Sequence, residues 1–282
     1  MSEVKVNKLS PRSGTTVTLG DSGDTFSIPS GVTLSNSGST TFAGNLSVDG
    51  GTIKLDGNYP TGTDNVALGD TALDSIQAGG INNVAIGDHA GTAITTGDNN
   101  VAVGKSALET NSSASGNTAV GHLSMQDNTD GNGNTSVGSC SMEENTTGSN
   151  NTAIGALALE TNTTGSNNTA VGNQSLEAST TSSSNTAVGF CAMHLNTTGS
   201  QNVAVGFKSL TDNTTGANNV AVGYEALENN TTANENVAVG RCSLYSNTTG
   251  TKNIAVGSYA LDTNTEGDKN VAIGYQALDA NT

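Results

Sequence analysis

Asn219-Val220-Ala221-Val222-Gly223-Tyr224-Glu225-Ala226-Leu227-Glu228-Asn229-Asn230-Thr231-Thr232 is followed by three linking residues, and then Asn236-Val237-Ala238-Val239-Gly240 starts the pattern again. Aligned on the glycine that closes each Asn-x-Ala-x-Gly, the chain contains thirteen copies, at Gly69, Gly87, Gly104, Gly121, Gly138, Gly155, Gly172, Gly189, Gly206, Gly223, Gly240, Gly257 and Gly274. The first spacing is 18 residues and the other eleven are 17. A repeat this short and this regular marks a stack of identical structural units, each supported only by its neighbours.

The columns of the repeat define the unit. Four positions before the glycine stands Asn in every copy; three before is Val, Ile or Thr; two before is Ala in twelve copies and Ser136 in the other; one before is Val, Ile or Leu. A branched-small-branched triplet with period two reads as a short strand with both branched side chains on one face. The glycine then allows a turn where a side chain would be strained. Three positions after it stands Ala or Ser, and four after it Leu or Met in all copies but one, where Gly91 stands. Seventeen residues are too few for a pair of helices, so the unit reads as one coil of a parallel β-solenoid, with room for one short second segment and its Asn-Thr-Thr-Gly turn. Three aliphatic side chains per coil cannot offset the entropy of ordering a whole coil. The all-Ala/Ser columns are therefore expected to pack against another chain. The expectation is an all-β homotrimer of parallel β-solenoid or β-roll subunits, each about 60 Å long at about 4.8 Å per coil.

Composition narrows the function. The 282 residues include 36 Gly, 3 Pro and no Trp, which leaves little bulk for a thick core. The net charge of −16, with nine Lys plus Arg, argues against nucleic-acid binding, which needs a basic surface to meet phosphates. The opening Met1-Ser2-Glu3-Val4-Lys5-Val6 holds no apolar run and no stretch reaches 18 apolar residues, so neither a signal peptide nor a membrane span is expected.

Residues 1–60 carry no repeat. Thr16-Val17-Thr18-Leu19, Thr25-Phe26-Ser27-Ile28 and Leu46-Ser47-Val48 alternate apolar and polar residues between turn formers, as short strands do. A β-rich N-terminal segment over 1–60 and a solenoid over 61–282 are the expected domains, with Tyr59-Pro60-Thr61-Gly62 in the junction. The wording from Val4-Lys5-Val6-Asn7-Lys8-Leu9-Ser10-Pro11 through Thr25-Phe26-Ser27-Ile28-Pro29 resembles the opening of tail-fibre and other fibre proteins of marine bacteriophages. That resemblance implies a trimeric virion fibre whose N-terminal segment attaches to other virion proteins. Such a fibre is assembled in the host cytoplasm and carried on the virion exterior.

Over residues 65–282, Asn-Val-Ala-Val-Gly-x-x-Ala is similar to the head repeat of trimeric autotransporter adhesins, whose left-handed parallel β-rolls trimerise. That family's usual repeat is shorter. The Leu and the Asn-Thr-Thr-Gly turn lengthen it here, and neither a coiled-coil stalk nor a membrane anchor is expected.

Several columns carry chemistry-bearing residues. One position after the glycine, Phe190, Phe207 and Tyr224 fall on successive coils, with Tyr275 further along the column; such a row is the candidate receptor or glycan surface. Five after it, eight copies are acidic: Asp74, Glu109, Glu143, Glu160, Glu177, Glu228, Asp262 and Asp279. A stacked carboxylate column can hold cations or raise its own pKa values, but solvated turn residues are the expected reading, since His194 and Tyr245 interrupt it. Seven after it, ten copies have Asn, and six of these begin Asn-Thr-Thr acceptor sequences for glycosylation: Asn145, Asn162, Asn196, Asn213, Asn230 and Asn247. A turn-capping or stacked-Asn role is expected instead. Cys140, Cys191 and Cys242 share one column at 51-residue intervals, too far apart for a disulfide within one straight stack, and read as small semi-buried residues. His89, His122 and His194 occupy three different columns and form no ligand set.

No catalytic constellation, cofactor or metal site is expected. The function expected is a non-enzymatic structural fibre protein of a phage virion that contributes to host attachment. The alternatives are a bacterial cell-surface trimeric adhesin and an ice-binding solenoid. Against the latter, the recurrent Thr pair, as at Thr231-Thr232, is adjacent, so its side chains should not share a strand face.

Overall fold

The computed structural model describes residues 64–280. The N-terminal segment expected over 1–60 lies outside the described residues. Within them the chain forms thirteen strands of three residues each, from β1 (Val66–Leu68) through β4 (Thr118–Val120) and β8 (Thr186–Val188) to β13 (Val271–Ile273), and no helix. The strands form one parallel sheet in strict chain order, and like residues pair with like: Ala204 faces Ala221, and Ala221 faces Ala238. The protein is an all-β parallel β-solenoid of about thirteen coils.

The segment after each marker glycine is a series of turns. Leu108, Leu159 and Leu227 adopt φ of 52°, 55° and 53°, and the residues two before them, Ser106, Leu157 and Glu225, are also left-handed. A non-glycine residue there costs about 1–2 kcal/mol, so the conformation must be held by its surroundings. Neighbouring coils hold it: Leu108 N donates to Ser124 O at 3.1 Å and Leu227 N to Ser243 O at 3.0 Å. This geometry folds the second segment back and turns Leu227 fully inward.

The marker glycines themselves sit at φ between 128° and 146°. A Cβ on Gly155 would lie 2.5 Å from the carbonyl oxygen of Gly172. Both the conformation and the stacking distance therefore demand glycine.

The core is arranged the other way round from the expectation. The middle Ala of each strand is fully buried inside its own coil, as at Ala85, Ala153, Ala187 and Ala238, together with the Ala or Ser three after the glycine and the Leu or Met four after it. The Ala/Ser columns are thus the interior of a single chain and offer no surface to a second one. The branched residues point outward: Ile154 is 41% exposed and Val205 37%. The physical reason is width. A coil closed by 17 residues leaves between its walls only the depth of a methyl group opposite one Leu, so the small residue must face in.

Buried polar side chains complete the interior. Every Asn four before the glycine is held in one continuous chain: Asn100 N donates to Asn83 Oδ1 at 2.9 Å, and Asn100 Nδ2 donates to Ala114 O at 3.0 Å. The same pattern runs to Asn270, whose backbone N donates to Asn253 Oδ1 at 2.9 Å. A second ladder joins the Asn column seven after the glycine, with Asn145 Nδ2 donating to Asn128 Oδ1 at 2.7 Å and to Gly148 O at 3.0 Å. The buried amides of these ladders thereby meet the hydrogen-bonding demand that burial imposes, with Asn162 Oδ1 the exception.

Candidate functional site

The glycine that ends each strand places the next side chain on an outer corner of the coil, and successive coils stack those corners into a column. Phe190 and Phe207 have ring centroids 5.4 Å apart and planes 13° from parallel; Phe207 and Tyr224 are 5.2 Å and 9° apart. Phe190, Phe207 and Tyr224 are each more than two-fifths exposed. Both faces of Phe207 are thus taken by neighbouring rings, and it presents mainly an edge to solvent.

The row does not end at Tyr224. The guanidinium of Arg241 lies 5.6 Å from the Tyr224 ring centroid and 5.5 Å from that of Tyr259. Tyr259 in turn meets Tyr275 edge to face at 6.4 Å. Lys208 Nζ lies 5.9 Å from the Phe207 centroid. Sequence reasoning found Phe190, Phe207, Tyr224 and Tyr275 but missed Arg241 and Tyr259. Arg241 stands in the aromatic column itself and was legible there as a cation next to Tyr224. Tyr259 stands one position out of register, beside Ser258, and only the turn geometry brings it into line.

The acidic column is half-buried and internally paired. Gln126 Nε2 donates to Glu109 Oε2 at 2.7 Å, His194 Nδ1 faces Glu177 Oε2 at 3.4 Å, and Lys208 Nζ lies 3.5 Å from Glu228 Oε1. Gln126, which interrupts the column, therefore serves the carboxylate one coil earlier, whereas His194 stands beside Glu177 without a hydrogen bond. Burial holds Glu160 above its ordinary carboxylate range, with Glu177, Glu143 and Glu144 adding repulsion. Glu228 is raised by burial and then by Glu225, and Asp262 by burial and then by Asp279. Among the described residues, no three His, Cys, Asp or Glu side chains converge as a metal ion requires.

The six asparagines of the Asn-Thr-Thr sequences are all fully buried in the second ladder, so their amides are out of reach of a glycosylating enzyme in the folded chain. The first Thr of each pair spends its hydroxyl on the next coil, as in Thr146 Oγ1 to Thr163 O at 2.8 Å, while the second, as Thr147, is exposed. All three cysteines are free thiols; Cys191 and Cys242 are buried, and burial raises the pKa of each. His89 pairs with its neighbour Asp88 at 2.7 Å.

No family model matches the chain, and no curated protein or solved structure shows significant similarity to it. Among the described residues no helix is long and apolar enough to cross a membrane.

Proposed function

We propose that this protein is a structural fibre component of a phage virion, non-enzymatic, built as a homotrimer of β-solenoids and contributing to host attachment. The observation that carries the reading is the outward face of the sheet. Its two rows hold only Val, Ile, Leu and Thr on all thirteen strands, without one charge, in a chain of net charge −16. An uncharged, branched strip running the length of the solenoid is far longer than the isolated apolar patches that monomers tolerate. A second copy has the same pitch, so its rows stay in step along every coil, which an unrelated partner would not. On a three-fold axis the two rows of each chain meet different neighbours and close a dry centre.

The N-terminal residues support the virion assignment through their resemblance to marine phage fibres, and residues 1–60 are the segment proposed to join other virion proteins. Contact with a host glycan or receptor falls to the aromatic corner. The cell-surface adhesin remains the alternative within the same architecture.

Light scattering on the full chain tests the trimer: three times the 28.0 kDa chain mass, stable to dilution, is expected. A monomeric mass overturns it. Replacing Val188 and Val205 by Asp, which places charges in adjacent coils of the strip, is expected to break the trimer while each solenoid stays folded.

One observation favours a second reading. Thr118, Thr135, Thr152, Thr169 and Thr186 stand in register on five successive outward strands, beside an unbroken Val/Ile row. A flat hydroxyl and methyl array of this kind suits ice binding. The two readings use the same face, so a trimer that covers it is expected to show no thermal hysteresis, and a monomer with hysteresis would replace the fibre reading.

A further inference from the structure

Arg241 is the odd residue in the aromatic column. Lys105, Lys208 and Lys252 each lie within 4.0 Å of a carboxylate, at Asp88, Glu228 and Glu235. Among the described residues no carboxylate pairs in this way with Arg241 or with Lys269. The Arg241 guanidinium instead lies over the Tyr224 and Tyr259 rings, at 5.6 and 5.5 Å from their centroids. A cation lying over rings leaves its N–H donors without an anionic partner, and the guanidinium fork matches the two oxygens of a carboxylate or sulfate.

The surroundings select a polymer over a single small anion. Phe190, Phe207, Tyr224, Arg241, Tyr259 and Tyr275 follow one another along the solenoid axis over six successive coils, with neighbouring rings 5.2 to 5.4 Å apart at one end. That step is about the length of one monosaccharide along an extended glycan. The faces of Phe207 are spent on its neighbours, and the rail adds hydroxyls and one forked cation. Glu225, a carboxylate near this corner, already accepts from Cys242 Sγ at 3.8 Å.

We propose that the corner formed by Tyr224, Arg241 and Tyr259 receives the carboxylate or sulfate group of an acidic polysaccharide lying along the rail. The proposal rests on the host-attachment reading above and names its ligand class.

The test is a binding titration of the full chain with size-defined oligogalacturonate and heparin oligosaccharides, and with a neutral dextran oligosaccharide of equal length. The two anionic probes separate carboxylate from sulfate recognition. Binding by at least one of them, with dextran weaker by about tenfold or more, is expected. Arg241→Gln should lose about tenfold or more of that affinity, as removal of one charge-assisted bidentate contact does. Arg241→Lys should fall between, since an ammonium keeps the charge but not the fork. Lys105→Gln removes an equal charge elsewhere and should change nothing. Unchanged thermal midpoints for the variants would separate a lost contact from lost folding. Equal binding of dextran, no binding of either anionic probe, or equal losses in the Arg241 and Lys105 variants would overturn the proposal. A trimer that binds none of the glycans would leave the fibre reading standing and remove only this site.

Discussion

Asn162 and Ser179 occupy the same place in successive coils, and Asn162 Oδ1, fully buried, has no hydrogen-bond partner there. Everywhere else along the described ladder this oxygen receives the next coil's amide, as Asn196 Oδ1 does from Asn213 Nδ2 at 2.7 Å. At the break, Ser179 Oγ turns to Ser182 Oγ at 2.6 Å, and Ser182 Oγ also receives Asn185 Nδ2 and Asn196 Nδ2. Ser182 replaces the glycine whose Cβ, in other coils, would meet the Asn amide: 2.4 Å at Gly199. The two serines are joined by that hydrogen bond, while Ala114 and Ala233 stand at the same place beside intact Asn111 and Asn230. Ser179→Asn with Ser182→Gly should restore the ladder and raise stability by about 1–3 kcal/mol, the cost of a buried unsatisfied group. The thermal midpoint would then rise by several degrees, and a fall would show that the serine pair is already optimal.

Within an intact run the same ladder makes a loss costly. Asn213→Ala removes the donor to Asn196 Oδ1 and to Gly216 O together. A destabilisation of about 2–4 kcal/mol is expected in denaturant unfolding. Thr215→Ala, which destroys the same glycosylation sequence at an exposed residue, should cost less than about 0.5 kcal/mol.

Gly155→Ala tests the corner. Its φ of 136° lies in the left-handed half of backbone space, and the new Cβ would stand 2.5 Å from Gly172 O. Strain and clash together should cost about 3–5 kcal/mol. Hydrogen exchange should report the damage first in the coils flanking Gly155, because each coil is supported by its neighbours alone.

The carboxylate column predicts an unusual pH response. Glu160, Glu228 and Asp262 are all raised by burial, ahead of repulsion from neighbouring acids. A raised folded pKa means that the native chain holds more protons than the unfolded chain, in the window between the ordinary value, 4.5 for Glu160, and the raised one. Stability from these groups is therefore greatest below that window and falls as pH rises through it. Asp268, lowered chiefly by a backbone hydrogen bond from Thr251, works in the opposite sense at an exposed site. The thermal midpoint should rise as pH is lowered toward the ordinary carboxylate value, and Glu160→Gln should flatten that rise. A midpoint that falls over the same range would contradict the assignment.

The strand face shows where sequence reasoning stopped short. A period-two triplet says that Val220 and Val222 share one side and Ala221 the other, but not which side is inside. A clue was present in Thr118, Thr135, Thr152, Thr169 and Thr186: an interior row would not accept five hydroxyls, whereas the middle position admits nothing larger than Ser136. Likewise the column alignment placed Phe190, Phe207 and Tyr224 together, yet it could not see Tyr259, which reaches the row from the adjacent position, or the way Gln126 partners a carboxylate of the column it interrupts.

From the sequence alone came the coil: thirteen units, a strand at each Asn-x-Ala-x-Gly, a glycine at each corner, and the like-on-like columns. Those features are local, set by side-chain period, backbone conformation and an unbroken repeat length. Tertiary structure decided which face became the core, which amides found partners, and which guanidinium went without a carboxylate. These depend on the closed width of the coil and on contacts one coil apart, distances that no single 17-residue repeat contains.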